Sequence, residues 1–260
     1  MTTTQFLISG WSLNVADLVV AAVAGVVYVA LFGVHQRIGY FIGALVVFLL
    51  TVLSPLNTLA DGYLFSAHMV QHILLLLIVP ALLLLSLPRS VSLKLPQRPL
   101  GHPFVGWLAG VGAMWFWHAP VLCNAAVSSR PVHALQTASL LLLGCIFWRQ
   151  ILAPRDEERL SPPGAVSYLF SACVACSVLG IILTFSPVTV CSIYMMQPKD
   201  PLGILNTIHT DWGFTPERDQ QIGGLLMWVP MCLIYLSAMF AQIGRWFAEP
   251  ATSVTANRYE

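Results

Sequence analysis

Apolar stretches of close to 20 residues recur along this chain of 260 residues and alternate with short segments that hold charged and turn-forming residues. A helix needs about 20 apolar residues to cross roughly 30 Å of hydrocarbon, so the pattern predicts transmembrane helices. Seven are expected, with the approximate bounds Ala16–Gly33, Ile38–Leu53, Ala67–Leu87, Phe104–Trp117, Ala134–Ile151, Ala165–Ser186 and Ile222–Arg245. The second and fourth stretches are short and are expected to be extended or tilted.

Composition favours a protein that lies almost wholly within a membrane. Hydrophobic residues make up 57% of the chain and charged residues only 9%, against about 25% charged in a typical soluble domain. Residues 1–260 are therefore predicted to form one all-α membrane domain, a seven-helix bundle with lipid as its surrounding partner. The net charge of +1 gives no sign of a nucleic-acid partner. The six cysteines are too few and too scattered to predict a disulfide framework.

Basic residues predict the orientation, because cytoplasmic segments carry the excess of Lys and Arg. With the N-terminus outside, the inner segments hold nine basic residues and the outer segments three. The nine are Arg37, Arg89, Lys94, Arg98, Arg149, Arg155, Arg159, Arg245 and Arg258. The three are Arg130, Lys199 and Arg218. The reverse orientation inverts this ratio, so an outer N-terminus and a cytoplasmic C-terminus are predicted.

Histidines are concentrated at one face of the membrane in this topology. His35 and His102 fall in inner loops, whereas five of the seven lie at the outer face or within about one helical turn of it. The five are His68, His72, His118, His133 and His209. Ionisable residues in membrane spans are costly and usually functional. The outer face is therefore where chemistry is expected.

The spacing of these histidines points to metal binding. His68 and His72 are four residues apart, so both imidazoles project from one helix face. Imidazole is the commonest metal ligand, and two on one face are a frequent half of a metal site. His118 ends the fourth span and His133 starts the fifth, at the same depth. Because these four histidines are expected to face one another, they are predicted to be metal ligands, and His209 is a further candidate. The alternative is that they are interfacial histidines that bond to neighbouring residues or water.

The sixth loop, residues 187–221, is the longest and is predicted to lie outside as a lid or docking surface. Asp219, near the start of the last span, is interpreted either as a helix-capping acid or as a supporting residue of the metal site. Met227 lies two turns further along and is expected in the core, with a supporting place in the metal site as the alternative. A methionine added to histidine ligands would favour soft Cu(I).

Cys173 and Cys176 are three residues apart on one face of the sixth span. A Cys-x-x-Cys pair binds copper or carries electrons in some proteins, but a thiol inside hydrocarbon resists ionisation. With no cation beside them in the sequence, both are interpreted as small packing residues.

Several motifs occur in a fixed order along the chain. They are Ser54-Pro55, the Ser-Ala-His-Met-Val-Gln-His segment at residues 66–72, Trp117-His118-Ala119-Pro120, His133, and the Asp-Gln-Gln-Ile-Gly-Gly-Leu-Leu-Met-Trp-Val-Pro segment at residues 219–230. Together they resemble the CtaG family of cytochrome c oxidase assembly factors, multi-span proteins associated with caa3-type oxidases. The resemblance runs from the second span to the seventh.

This resemblance implies a multi-pass protein of the bacterial cell (inner) membrane that helps to build the haem-copper oxidase of the respiratory chain. Oxidase subunits are then the expected partners. Combined with the outer histidines, it predicts a metal chaperone without catalytic turnover, which binds copper as Cu(I) at the outer face and aids its delivery to the oxidase.

Two other functions fit parts of the pattern. A membrane b-type cytochrome would use His72 with His118 or His133 as axial haem ligands, but its ligands are usually found at both membrane faces. A copper or proton transporter would need polar residues that continue to the inner face, and the inner halves of the predicted spans look almost purely apolar.

Overall fold

The computed structural model of the protein describes residues 1–93, 101–196 and 200–248. Within these ranges the chain is helical and contains no β-strand. The α-helices are α1 (Thr3–Ser9), α2 (Val15–Phe32), α3 (Ile38–Leu53), α4 (Pro55–Ala60), α5 (Phe65–Ile73), α6 (Val79–Ser86), α7 (Pro103–Trp117), α8 (Pro120–Ser128), α9 (Arg130–Leu152), α10 (Pro162–Phe185), α11 (Ile193–Met196) and α12 (Pro216–Ala248). Of the basic residues used to predict orientation, Lys94, Arg98, Lys199 and Arg258 lie outside the described residues.

All seven predicted apolar stretches are helical. Five helical runs in the described residues are long and apolar enough to cross a membrane: Val15–Phe32, Phe65–Ser86, Arg130–Leu152, Pro162–Phe185 and Pro216–Ala248. A sixth crossing is added if α7 and α8 are counted as one bent span. Helix α3 has 16 residues, about 24 Å at the rise of an α-helix. The total of seven crossings therefore stays a prediction.

The third predicted span lies at the centre of the bundle. In its most apolar window 61% of the residues are buried inside the protein, against 11% for α2 at the edge. Between α5 and α6 the helix widens into a π-helical segment, Leu74–Ile78, which begins two residues after His72. Pro80 follows, and proline both lacks a backbone donor and crowds the preceding turn. Such π segments inside helices are frequent at functional sites.

Helix α7 ends next to the third span, where the chain bends sharply. His118 occupies the bend, and α8 leaves at 75° to α7. Pro120 begins α8, a position where the missing N–H would have no partner in any case. The bend therefore fixes His118 at the end of a helix, with its side chain turned toward α5.

Cys123 of α8 forms a disulfide with Cys191, which lies just before α11. The expectation that the scattered cysteines form no disulfide is therefore wrong for this pair. The two residues are 68 positions apart, and only the bend before α8 brings them together. The side-chain oxygen of Asn124 accepts hydrogen bonds from Ile193 N at 2.9 Å and Ser192 Oγ at 3.2 Å, so α8 holds the chain on the far side of the bridge as well.

A cap of short helices covers the end of the bundle where α5 and α9 begin and α7 ends, which we call the histidine end. Phe6 of α1 is buried in a small second apolar cluster with Ile204 and Ile208 of the sixth loop. Burial raises the pKa of Tyr63 to about 12, and the Asp200 carboxylate adds to the effect. Tyr63 thus stays protonated and donates to Asp200 at 3.2 Å. The described part of the sixth loop packs over this end of the bundle, and its role as an outer lid or docking surface stays a prediction.

Candidate functional site

Four of the five predicted outer histidines come together at the histidine end. The Nε2 atoms of His68 and His72 are 3.0 Å apart. The rings of His72 and His118 have centroids 5.1 Å apart, and those of His68 and His133 are 6.3 Å apart. Helices α5 and α9 and the end of α7 supply these residues, which we call the histidine cluster.

Burial favours the form of these side chains that binds metal. His68 and His72 are 1% exposed and His118 is 5% exposed, whereas His133 is half-buried. A charged imidazolium is costly in such surroundings, so the buried rings are neutral. A neutral imidazole presents one nitrogen lone pair, the group that ligates a metal ion.

Hydrogen bonding fixes which nitrogen of His118 is free to act as a ligand. Its Nδ1 lies 2.5 Å from the carbonyl oxygen of Met114. A carbonyl only accepts, so Nδ1 carries the hydrogen and Nε2 keeps its lone pair. That Nε2 lies 3.0 Å from the sulfur of Met69. A backbone carbonyl behind the ring is the usual arrangement for orienting a metal-ligating histidine.

The side chains around His72 leave its second nitrogen without a partner. Gln136 of α9, 1% exposed, lies close enough to interact with His72. Even so, neither Nδ1 of His72 nor Nε2 of Gln136 has a partner within hydrogen-bonding geometry in the described residues. Buried polar atoms normally have a partner, so the cluster has unused hydrogen-bonding capacity next to the His68–His72 pair.

Asp219 positions the helix that carries two of the histidines. It is 2% exposed, and its carboxylate accepts the backbone N–H groups of Phe65 at 2.6 Å and Ser66 at 3.0 Å. These are the first two residues of α5, whose N–H groups lack partners within the helix. The negative charge also suits the positive end of α5. Asp219 is therefore a capping acid, but for α5 and not for its own helix.

The structure separates the remaining predicted residues. His209 is exposed on the cap, and its Nδ1 bonds the backbone oxygen of Phe214 at 2.7 Å. Met227 is fully buried in the apolar core of α12, as expected. The methionine that touches a histidine of the cluster is Met69, which was not predicted from its place in the sequence. Its position directly after His68 was the available signal.

The cluster does not have the geometry of a saturated metal centre. In the described parts of the chain, no three or more His, Cys, Asp or Glu side chains are arranged to hold a metal ion together. What the cluster offers is a pair of facing imidazole nitrogens, with a third imidazole and a thioether beside them. Imidazole nitrogens are accepted by several transition metals, whereas a thioether sulfur is a soft donor that favours Cu(I).

The cysteines of the sixth span are not arranged as their spacing suggests. Cys173 faces Cys232 of α12, with the two sulfurs 3.1 Å apart. Cys176 points elsewhere and lies 3.9 Å from the hydroxyl of Tyr235. The Cys-x-x-Cys spacing therefore does not mark a pair, because each thiol meets a different turn of α12.

Polar residues also lie buried toward the other end of the bundle. Arg149, Gln150 and Gln242 are 8%, 3% and 7% exposed. In the described residues Arg149 Nη1, Gln150 Nε2 and Gln242 Oε1 have no hydrogen-bond partner. The expectation that the inner halves of the spans are almost purely apolar is thus wrong for α9 and α12.

The fold and the site define a multi-pass membrane protein with a buried histidine cluster at one end of its bundle. Residues 20–249 match the family described as cytochrome c oxidase caa3 assembly factor (Caa3_CtaG), and the chain belongs to this family. The resemblance found in the sequence motifs is confirmed. The protein is accordingly a multi-pass protein of the bacterial cell membrane.

One relative is an uncharacterized protein of Mycobacterium leprae (strain TN). It is 24% identical over 258 residues, which cover 87% of this chain and 38% of the relative. The chain thus spans well under half the length of the curated relative it matches. No solved structure matches the chain.

Proposed function

We propose that this assembly factor holds Cu(I) in the histidine cluster and passes it to the copper centres of a cytochrome c oxidase. Family membership supports the process, oxidase assembly. The observation that supports copper is the meeting of imidazole nitrogens from His68, His72 and His118 with the sulfur of Met69 in a buried space. Imidazole and thioether together suit a soft monovalent ion.

Copper binding needs a proton shift within the cluster. Of the two Nε2 atoms of His68 and His72, one donates and the other accepts in their 3.0 Å contact. If His72 is the donor, moving its proton to the unpartnered Nδ1 leaves two lone pairs facing each other. Cu(I) then replaces the shared hydrogen. No substrate bond is formed or broken and no oxidation state changes, so the protein acts as a chaperone and not as an enzyme.

The same packing disfavours a b-type haem. A haem needs a flat slot between two axial imidazoles, but the rings of His72 and His118 are 5.1 Å apart and nearly perpendicular, at 82°. The Nε2 of His118, which would bind the iron, faces the Met69 sulfur. A single ion fits this space better than a macrocycle.

Seven spans with the histidine end outside form part of the proposal. Disulfides persist in oxidising compartments, and the Cys123–Cys191 bridge lies at the histidine end. The opposite end gathers cations. Burial lowers the pKa of Arg159, and the nearby charges of Arg245, Arg37 and Arg89 lower it further, while Asp156 raises it. A cationic cytoplasmic end follows the positive-inside rule.

Delivery is proposed to occur through the cap. His133 is half-buried and its ring lies 6.3 Å from that of His68, so it stands between the buried ligands and the surface. The ring of Tyr194, in α11, lies 6.3 Å from that of His68, and its hydroxyl donates to the Ala60 oxygen at 2.6 Å. An oxidase subunit docking on the cap could then draw copper from His68 through His133 by ligand exchange.

The test is copper analysis of the purified full chain after loading with Cu(I), for the unchanged protein and for His72→Ala. Loss of a ligand is expected to weaken copper binding by roughly 100-fold or more, beyond the effect of losing an outer hydrogen-bond partner. Cells carrying the variant are expected to make oxidase subunits deficient in copper, with partial rescue by excess external copper.

The matched control is His102→Asn, at the other end of the bundle. His102 caps α7 by accepting the Phe104 N–H at 3.2 Å, and asparagine preserves that cap. This variant should keep its copper and support normal oxidase. If His72→Ala is inserted and keeps both its copper and oxidase activity, the chaperone proposal fails and only a structural role in assembly is left.

A further inference from the structure

Two thiols from different helices face each other in the middle of the bundle. Cys173 of α10 and Cys232 of α12, both half-buried, have their sulfurs 3.1 Å apart, within hydrogen-bonding distance and not bonded as a disulfide. The hydroxyl oxygen of Ser177 lies 3.1 Å from the Cys232 sulfur. We call Cys173 and Cys232 the thiol pair.

Close packing of α10 on α12 holds the thiol pair in place. A Cβ on Gly180 would lie 2.8 Å from the Cβ of Trp228, and one on Gly224 would lie 2.5 Å from the backbone nitrogen of Thr184. The helices run antiparallel, so four residues back along α10 match four residues forward along α12. Further along the same antiparallel contact, Ser177 and Cys173 both lie against Cys232. The thiols therefore lie on a face where neither backbone has room to move.

The polar hydrogens of this group form one consistent chain. Ser177 donates its hydroxyl hydrogen to the Cys173 carbonyl at 2.7 Å. Its oxygen is then free to accept from the Cys232 thiol, and the Cys173 thiol donates to the Cys232 sulfur. Ordinary packing does not require this alignment. Both thiol hydrogens are therefore directed at acceptors within this group. These are the two protons that a bound metal ion would displace.

We propose that the thiol pair is a second Cu(I) site, in which the ion bridges the sulfurs of Cys173 and Cys232. Thiolate is the ligand class that selects Cu(I). Each thiol loses its proton to the buffer, two S–H bonds are replaced by two S–Cu bonds, and copper stays Cu(I). The Ser177 hydroxyl can then turn to donate to the Cys232 thiolate, which offsets the negative charge of the bis-thiolate complex.

The thiol pair lies deeper in the bundle than the histidine cluster. Along α12, Cys232 is 13 residues beyond Asp219, about 20 Å. Asp219 marks the level at which α5 begins, and His72 is seven residues beyond Phe65, about 10 Å. Copper at the thiol pair is thus shielded from water. The site extends the proposed copper handling to a protected second position, but it does not require copper in the histidine cluster.

The test uses the full chain in detergent, free of oxygen and loaded with Cu(I) alone, in a background with His68→Ala and His72→Ala. No thiol reductant is added, so that the Cys123–Cys191 bridge stays closed. The expected result is one retained copper per chain with the near-ultraviolet absorption of a thiolate–Cu(I) bond. A further change of Cys173→Ser with Cys232→Ser should remove both signals. Cys145→Ser, at a half-buried free cysteine of α9, is the matched control and should change neither.

Outcomes for the two copper sites are separable. A background chain that remains folded but retains no thiolate-bound copper overturns the second site, whatever the histidine variants show. Equal copper in the double serine variant overturns it as well. Should the double serine variant fail to fold, the single variants Cys173→Ser and Cys232→Ser decide, because each removes one of the two sulfurs and should abolish the thiolate band, whereas Cys145→Ser should retain it. Failure of the histidine proposal appears elsewhere, as unchanged copper in His72→Ala with an intact thiol pair.

Discussion

The histidine cluster draws its side chains from α5, α9 and the end of α7, whereas the thiol pair draws its two from α10 and α12 alone. Hydrogen bonds position the first. Asp219 caps α5, the Met114 carbonyl orients His118, and Gln71 donates to the Thr51 oxygen at 2.9 Å to tie α5 to α3. Steric contact at glycines positions the second.

This difference has a physical consequence for how each site responds to change. Polar positioning is directional, so loss of one acceptor rotates or frays a helix end without parting the bundle. Close packing at glycines is not directional, but it leaves little room for added atoms, because protein interiors are as dense as crystals of small molecules. Changes at Asp219 should therefore disturb histidines and spare thiols, and changes at Gly224 should do the reverse.

The largest effect is expected from Gly224→Ala. A Cβ there would lie 2.5 Å from the Thr184 nitrogen and 2.8 Å from its Cα, and backbone atoms cannot move aside. Overpacking of this kind should lower the free energy of unfolding by about 3 kcal/mol. It should also reduce oxidative cross-linking of Cys173 to Cys232. Gly244→Ala in the same helix, with nothing within 4 Å of its Cβ position, is the control. Equal stability of the two variants would refute the packing account.

The next effect is expected from Asp219→Ala. It leaves the buried N–H groups of Phe65 and Ser66 without an acceptor, which should cost about 2 kcal/mol. Copper bound at the histidine cluster should fall, because α5 loses its anchor three residues before His68. Asp219→Asn retains one acceptor oxygen, so its stability and its bound copper should lie between those of the unchanged protein and those of Asp219→Ala. Cross-linking of the thiol pair should stay unchanged, and a large loss of it would show that the two sites are not held independently.

More of the histidine cluster than of the thiol pair could be predicted from the sequence. Hydropathy located all seven helical stretches, and the spacing of His68 and His72 placed two imidazoles on one face. Topology then brought His118 and His133 to the same end, because adjacent helices alternate in direction. Each of these steps depends on the period of one helix or on the order of helices, and both can be read along the chain.

Pairing across helices could not be read in this way. Cys173 meets Cys232 and not Cys176 because of the rotation and crossing of α10 on α12. Asp219 caps α5, 154 residues away from it along the chain. Met69, rather than Met227, faces the His118 nitrogen. The disulfide depends on a 75° bend at His118. The hydropathy period along one helix carries no information about the angles between helices or about the bend at His118.

A smaller effect is expected from removing the disulfide with Cys123→Ser and Cys191→Ser. Loss of a natural disulfide typically costs 2–5 kcal/mol in small secreted domains, but here Asn124 still holds the neighbouring chain through Ser192 and Ile193. The loss should therefore be about 1 kcal/mol, measured by unfolding in detergent.

The orientation of the histidine end can be tested with reporter fusions. Reporter fusions after Asp61 and Asp200 should read as external, and a fusion after Arg155 as cytoplasmic. A cytoplasmic signal at Asp61 would place the histidine end inside and remove the argument for delivery at the outer face.

The smallest effect on stability is expected from Met69→Leu, and it bears most directly on the histidine cluster. Leucine nearly preserves the volume of methionine, so the free energy of unfolding should change by less than about 1 kcal/mol. The thioether that lies 3.0 Å from the His118 nitrogen is lost, however, and Cu(I) affinity should fall by about tenfold, which corresponds to about 1.4 kcal/mol of binding energy. Met227→Leu is the matched control, since Met227 is equally buried, at 0% exposed, in the same apolar core. It should show the same small change in stability with unaltered copper affinity. If both variants bind copper like the unchanged protein, the sulfur of Met69 only packs against His118, and the proposed donor set reduces to imidazoles. If Met227→Leu is the variant that loses affinity, the copper lies closer to α12 than the contact between Met69 and His118 indicates.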